Sequence, residues 1–73
     1  MIEVIDKGNR WVVKRGNETI IVYKEKNVAV YGKNGKAKCM GYGKGLRKYF
    51  NGKITNETFD KMVDYIRDNA FLW

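Results

Sequence analysis

Lys44, Arg47 and Lys48 stand at i, i+3 and i+4, a spacing that gathers three cations on one side of a helix. Leu46, Tyr49 and Phe50 repeat that spacing on the opposite side. The segment therefore reads as a short amphipathic helix with a cationic outer face. The chemistry of such a face is electrostatic, because ammonium and guanidinium groups displace condensed counterions from a nucleic-acid backbone. Arg47 adds a planar fork that can hold a phosphate or a guanine edge with two hydrogen bonds. Tyr42, placed between Gly41 and Gly43, offers a ring for stacking on an exposed base.

These residues belong to a longer run, Gly32 to Lys53. It holds Lys33, Lys36, Lys38, Lys44, Arg47, Lys48 and Lys53 and no Asp or Glu. The rest of the chain balances eight basic against eight acidic residues, so the net charge of +7 is concentrated here. Six of the eight glycines fall in the same run. They are read as letting the backbone approach a phosphate, with free N–H groups near Lys44-Gly45 at the start of the helix. The plainer reading is that loop lysines serve solubility and glycines serve turns. Seven cations without a counter-charge favour a phosphate-rich partner, DNA or RNA, and the seven with Tyr42 are the candidate site.

Catalysis is not expected. Without histidine there is no Ser-His or Cys-His arrangement and no zinc site of the usual Cys/His kind. None of the glycine-lysine pairs completes a phosphate-binding P-loop, and Gly41-x-Gly43 lacks the third glycine of a dinucleotide fold. Asp60 and Asp64 lie one helical turn apart and read as a solvated face rather than a metal pair. Cys39 is the only cysteine, so it is assigned as a small buried hydrophobe in a reducing compartment. No cofactor is implied.

The elements that must position the site are strands. Met1 to Ile5, Arg10 to Arg15, Glu18 to Lys24 and Val28 to Tyr31 carry β-branched and aromatic residues between short turns, which argues an antiparallel meander. Asn34-Gly35 is a strong hairpin signal, making Lys36 to Met40 a fifth strand. Alternation leaves both faces partly apolar. Ile20, Val22, Val28 and Val30 are assigned to the core, leaving Tyr23 and Tyr31 on the open face unless a bulge exchanges them. Trp11 is assigned to the core, the alternative being a stacking platform with Tyr23 and Tyr31. Asn51-Gly52 is expected to end the short helix with a left-handed cap. Thr55 or Asn56 then caps a longer helix whose inner face is Phe59, Met62, Val63, Ile66 and Ala70.

The expected fold is α+β: an antiparallel meander or small barrel of four to five strands over residues 1–40, a basic loop and short helix over 32–53, and a C-terminal helix over 55–71, all in one domain. Phe71, Leu72 and Trp73 are expected to fold back and finish a thin core, or else to form a partner or dimer interface. No stretch approaches the roughly 20 apolar residues of a membrane span, so a cytoplasmic protein is expected, monomer or homodimer. The Asn-x-Thr matches at Asn17 and Asn56 are then chance. The leading expectation is a small non-catalytic nucleic-acid-binding protein. The alternative is a phage or mobile-element product that binds and inhibits a host protein or nucleoprotein complex, its basic loop filling a groove meant for nucleic acid or engaging an acidic protein surface. The acidic row Asp60, Asp64 and Asp68 is expected to sit away from a phosphate backbone and suits a basic protein.

Overall fold

The computed structural model describes residues 1–72. Five strands follow one another as antiparallel neighbours: β1 (Ile2–Asp6), β2 (Arg10–Arg15), β3 (Glu18–Tyr23), β4 (Val28–Lys33) and β5 (Lys36–Tyr42). A 3-10 helix (Lys44–Asn51) and an α-helix, α1 (Asn56–Asp68), come next, and β6 (Ala70–Leu72) returns to pair with β5. The sheet thus has six strands and stays open, with β1 and β6 as its edges. The expectation of four or five strands, or of a barrel, is corrected on both counts.

The turns obey local chemistry. Asn34 and Gly35 take φ of 56° and 77°, the paired positive values that a two-residue hairpin needs. The Asn34 N–H donates to the Asn17 carbonyl at 2.9 Å, tying the β4–β5 turn to the β2–β3 turn beside it. Gly52 takes φ −151°, an extended conformation, so the short helix does not end on a left-handed cap as expected. That helix is 3-10 in form and has no side-chain cap; the Leu46 N–H donates to the Gly43 carbonyl three residues back. What holds it is packing. Leu46 is fully buried, and Phe50 stacks flat on Trp11 with centroids 4.3 Å apart.

One face of the sheet meets the helices. Val13, Ile20, Tyr31 and Cys39 lie in register across β2 to β5, with Trp11, Val22, Ala29 and Gly41 in the neighbouring row. Onto them α1 lays Phe59, Met62 and Ile66, all fully buried. Val28 and Val30 therefore face away from the core, and Ala29 and Tyr31 face into it, the reverse of the assignment made from alternation. The register is the reason: Ile20 pairs with Tyr31 and Val22 with Ala29, so Tyr31 and Ala29 share the covered face, while Val28 and Val30 pair with Tyr23 and Ile21 on the other. Gly41 supplies a shallow position beneath α1.

Gly41 is the tightest point of this seat. A Cβ placed there would lie 2.7 Å from the Asn69 carbonyl oxygen, 2.8 Å from that of Ile66 and 3.0 Å from the Ala70 Cα. Residues 41 and 42, expected in a loop, thus belong to β5. Thr55 caps α1, its hydroxyl accepting from the Thr58 N–H at 3.2 Å. The helix stops at Asp68 rather than running to residue 71, since Gly41 pairs with Ala70 and draws the chain into the sheet. Phe71, expected in the core, is instead the extra residue of a bulge between Met40–Leu72 and Gly41–Ala70, and it is exposed. Trp73 lies outside the described residues.

Gly41→Ala is expected to cost about 2–3 kcal/mol, because every atom it strikes is backbone. For a chain of this size that lowers the melting midpoint by roughly 10–20 °C. Gly52→Ala meets nothing within 4 Å and has no positive φ, so its stability should stay within about 0.5 kcal/mol of wild type. Thermal denaturation of the two variants checks the contrast.

Candidate nucleic-acid interface

All seven cations of the 32–53 run are exposed, and among the described residues none forms an ion pair. Five of the eight carboxylates are engaged: Asp6 with Lys24, Glu18 and Asp60 with Arg15, Glu57 with Lys61, and Asp64 with Arg67. The acidic row on α1 is thus partly neutralised by its own neighbours, which weakens it as a separate contact surface.

The seven do not form one patch. Lys33 and Lys36 flank the Asn34-Gly35 turn at one end of β5, and Lys44 follows its other end. Seven residues of strand separate the two groups by about 20 Å. Lys38 is the bulged residue where Tyr31–Cys39 pairing gives way to Gly32–Ala37. It lines a cavity of about 310 Å³ with Tyr31, Cys39, Val63 and Arg67, on the core side of the sheet. Arg47 and Lys48 project from the 3-10 helix while Leu46, Tyr49 and Phe50 pack inward. Lys53 lies beyond it, lining a shallow pocket with Ile2 and Asn56.

The glycines have a different role from the one expected. A Cβ on Gly43 would meet Ala29 at 3.0 Å, and one on Gly45 would meet the Tyr65 hydroxyl at 2.5 Å. Gly41, Gly43 and Gly45 thus each have protein atoms where a side chain would begin, so they are packing positions as well as turn residues.

Tyr42 is 61% exposed and meets Phe71 edge-on at 5.6 Å. Both Tyr42 and Tyr23 pair with Val28, one from each side, so they share the open face. Trp11 and Tyr31 lie on the helix-covered face, which removes both from any platform with Tyr23. Lys24 Nζ sits 4.5 Å from the Trp11 ring and donates to Asp6 at 2.8 Å. Tyr23, Tyr42 and Phe71 come together on this side only through strand pairing, which alternation within a single strand does not carry.

Beneath α1 lies a polar network. Arg15 donates from Nε and Nη2 to one Glu18 oxygen at 3.1 and 3.0 Å and from Nη1 to the Asn56 carbonyl at 3.3 Å, and its Nη1 forms an ion pair with Asp60 at 2.8 Å. Its guanidinium also lies 4.2 Å from the Phe59 ring. The Tyr31 hydroxyl donates to the other Glu18 oxygen at 2.6 Å. That hydrogen bond, helped by Arg15, holds the Glu18 carboxyl below its usual range. Burial, followed by the same bond, pushes the Tyr31 phenol up to about 12. Burial raises the Cys39 thiol as well, against a smaller opposing effect of Arg67. This network fastens α1 to the β2–β3 hairpin, with Asp60 on its exposed side.

No family model, curated protein or solved structure matches this chain. No described helix is long and apolar enough to cross a membrane.

Because the folded state favours the neutral phenol, Tyr31 stabilises the protein fully below the ordinary tyrosine pKa near 10. That contribution is lost as pH rises through about 12. Glu18 has the opposite sign: its contribution is present above the ordinary glutamate pKa and lost as pH falls through its lowered folded value. Absorbance titration of tyrosinate should show one of the five tyrosines ionising last, and Tyr31→Phe should remove that step. The same substitution should cost about 1.5 kcal/mol at neutral pH by removing a hydrogen bond to a charged acceptor.

Proposed function

We propose that this protein is a small, non-catalytic nucleic-acid-binding domain that grips the phosphate backbone with the side chains of residues 33–53. The observation that carries the reading is the set of seven exposed cations, none ion-paired among the described residues, in a chain whose carboxylates are mostly engaged elsewhere. Lysines that merely solubilise a surface are usually interspersed with acids. A run of this sign and density sets up a potential that attracts polyanions.

The division of the cations between the two ends of β5 gives the grip two points of contact. Arg47 is the one residue of the set able to form a two-pronged contact, since the other six are lysines. Binding is therefore expected to be weakly selective for sequence, with affinity dominated by counterion release. The non-catalytic part of the reading is supported by the absence of histidine. It is supported too by the buried Cys39, whose raised pKa keeps it a thiol rather than a nucleophilic thiolate.

Fluorescence anisotropy with labelled DNA and RNA at about 50 and 200 mM salt tests the reading. If about four cations contact phosphates, the log–log salt slope should be near −4 on duplex and near −3 on single strands. Lys44→Glu with Arg47→Glu should remove most of the affinity, and Lys33→Glu with Lys36→Glu should reduce it and flatten the slope. Both pairs are exposed, so the proteins should keep the wild-type melting midpoint. Folded wild-type protein that binds neither polymer at low salt would end the reading.

A further inference from the structure

The open face of the sheet has no helix on it, and its side chains follow an ordered pattern. Ile5, Val12, Ile21, Val30 and Met40 form an apolar row across β1 to β5. Beside it runs a second row: Arg10 pairs with Tyr23, Tyr23 with Val28, and Val28 with Tyr42. Phe71 extends this row at 5.6 Å from Tyr42. Tyr23 and Tyr42 are two strands apart, about 10 Å. At 61% and 56%, Tyr42 and Phe71 are among the most exposed large apolar side chains of the protein.

Charge at the rim agrees with an anionic occupant. Arg10 bounds the aromatic row on one side, its guanidinium donating to the neighbouring Asn9 side chain at 2.9 Å. Lys44 stands two residues beyond Tyr42. At the far end of the same face Lys36 borders a groove of about 330 Å³ walled by Thr19, Ile21, Val30 and Ala37. Register places Glu3 of the edge strand β1 on this face, directly opposite Lys14 of β2.

We infer that this face is a stacking platform for single-stranded nucleic acid. Unpaired bases lie on Tyr23, Tyr42 and Phe71, and Arg10 and Lys44 hold the phosphates on either side. The inference rests on the phosphate-binding reading and adds the class of polymer to it. Aromatic rings on an open sheet accept bases only where those bases are unpaired, because a duplex keeps its base faces stacked inside. The apolar middle of the platform discriminates the same way. It gains from covering base faces and has nothing to offer the charged exterior of a duplex.

The test compares a labelled oligothymidine or oligouridine of about 12 nucleotides with a hairpin duplex of equal phosphate count. Wild type should prefer the single strand by about tenfold or more. Tyr42→Ala with Phe71→Ala should weaken single-strand binding by about 10- to 100-fold while changing duplex binding by no more than about twofold. Lys44→Glu with Arg47→Glu should weaken both. Since Tyr42 and Phe71 are exposed, the aromatic variant should fold, and circular dichroism confirms that before binding is read.

Unchanged single-strand affinity in the folded aromatic variant would overturn the platform while leaving phosphate binding intact, as would a preference for duplex. Loss of both polymers in wild type would instead remove the underlying reading. Sedimentation supplies a further arm. A wild-type dimer that dissociates in the aromatic variant, without any single-strand preference, would assign this face to a second copy of the chain and overturn the inference.

Discussion

The whole arrangement depends on how closely α1 approaches β5 at Gly41. The carbonyls of Ile66 and Asn69 come within 3 Å of where a side chain would begin. Only a residue without one allows the last turn of the helix to touch the strand. From that contact much else follows. Cys39 lies under the same turn, its thiol 3.7 Å from the Ile66 carbonyl. Ala70 falls opposite Gly41 and starts the sixth strand, and the bulge beside it turns Phe71 out toward Tyr42. At the other end of α1 the polar network of Arg15, Glu18, Tyr31 and Asp60 fixes the helix to β2 and β3. Two anchors at opposite ends settle its direction across the sheet.

This seating also determines which surface stays open. With α1 and the 3-10 helix on one face, the 73-residue chain leaves nothing in the described residues to cover the other. That face holds buried to half-buried aliphatic residues in its middle and aromatic residues along one margin. Arg10, Lys36 and Lys44 lie near its margin. On the proposed reading, the two physical demands of a single-stranded polyanion, neutralisation and stacking, would fall on different parts of this one face.

The sequence reading and the structure part company where non-local contacts decide. A pattern of alternating residues states which side chains share a face and is silent on which face is covered. Ile20 and Val22 lie in the core as alternation implies, but Val28 and Val30 do not, because the β3–β4 register sets Tyr31 and Ala29 beside Ile20 and Val22. The C-terminal residues carried helical spacing through Ala70, so the turn into β6 had no local marker; pairing with a strand some thirty residues earlier produced it. The basic run looked like a single patch because its residues are adjacent in the chain. A strand and a turn within it carry them to opposite ends of the sheet.

By itself the sequence determined the strands, the hairpin turns, the capped helix and the charge, since propensity, positive-φ residues, capping and ionisation are properties of a few neighbouring residues. It also determined that Leu46, Tyr49 and Phe50 would anchor a cationic segment, because their spacing suffices for that. Only the tertiary structure decided that the sheet is open and six-stranded, that the glycines of residues 41–45 serve packing, and that Tyr23, Tyr42 and Phe71 share an uncovered face. Each of these is a relation between segments far apart in the chain. It is fixed by which surfaces can approach without collision, a quantity that no local stretch of residues contains.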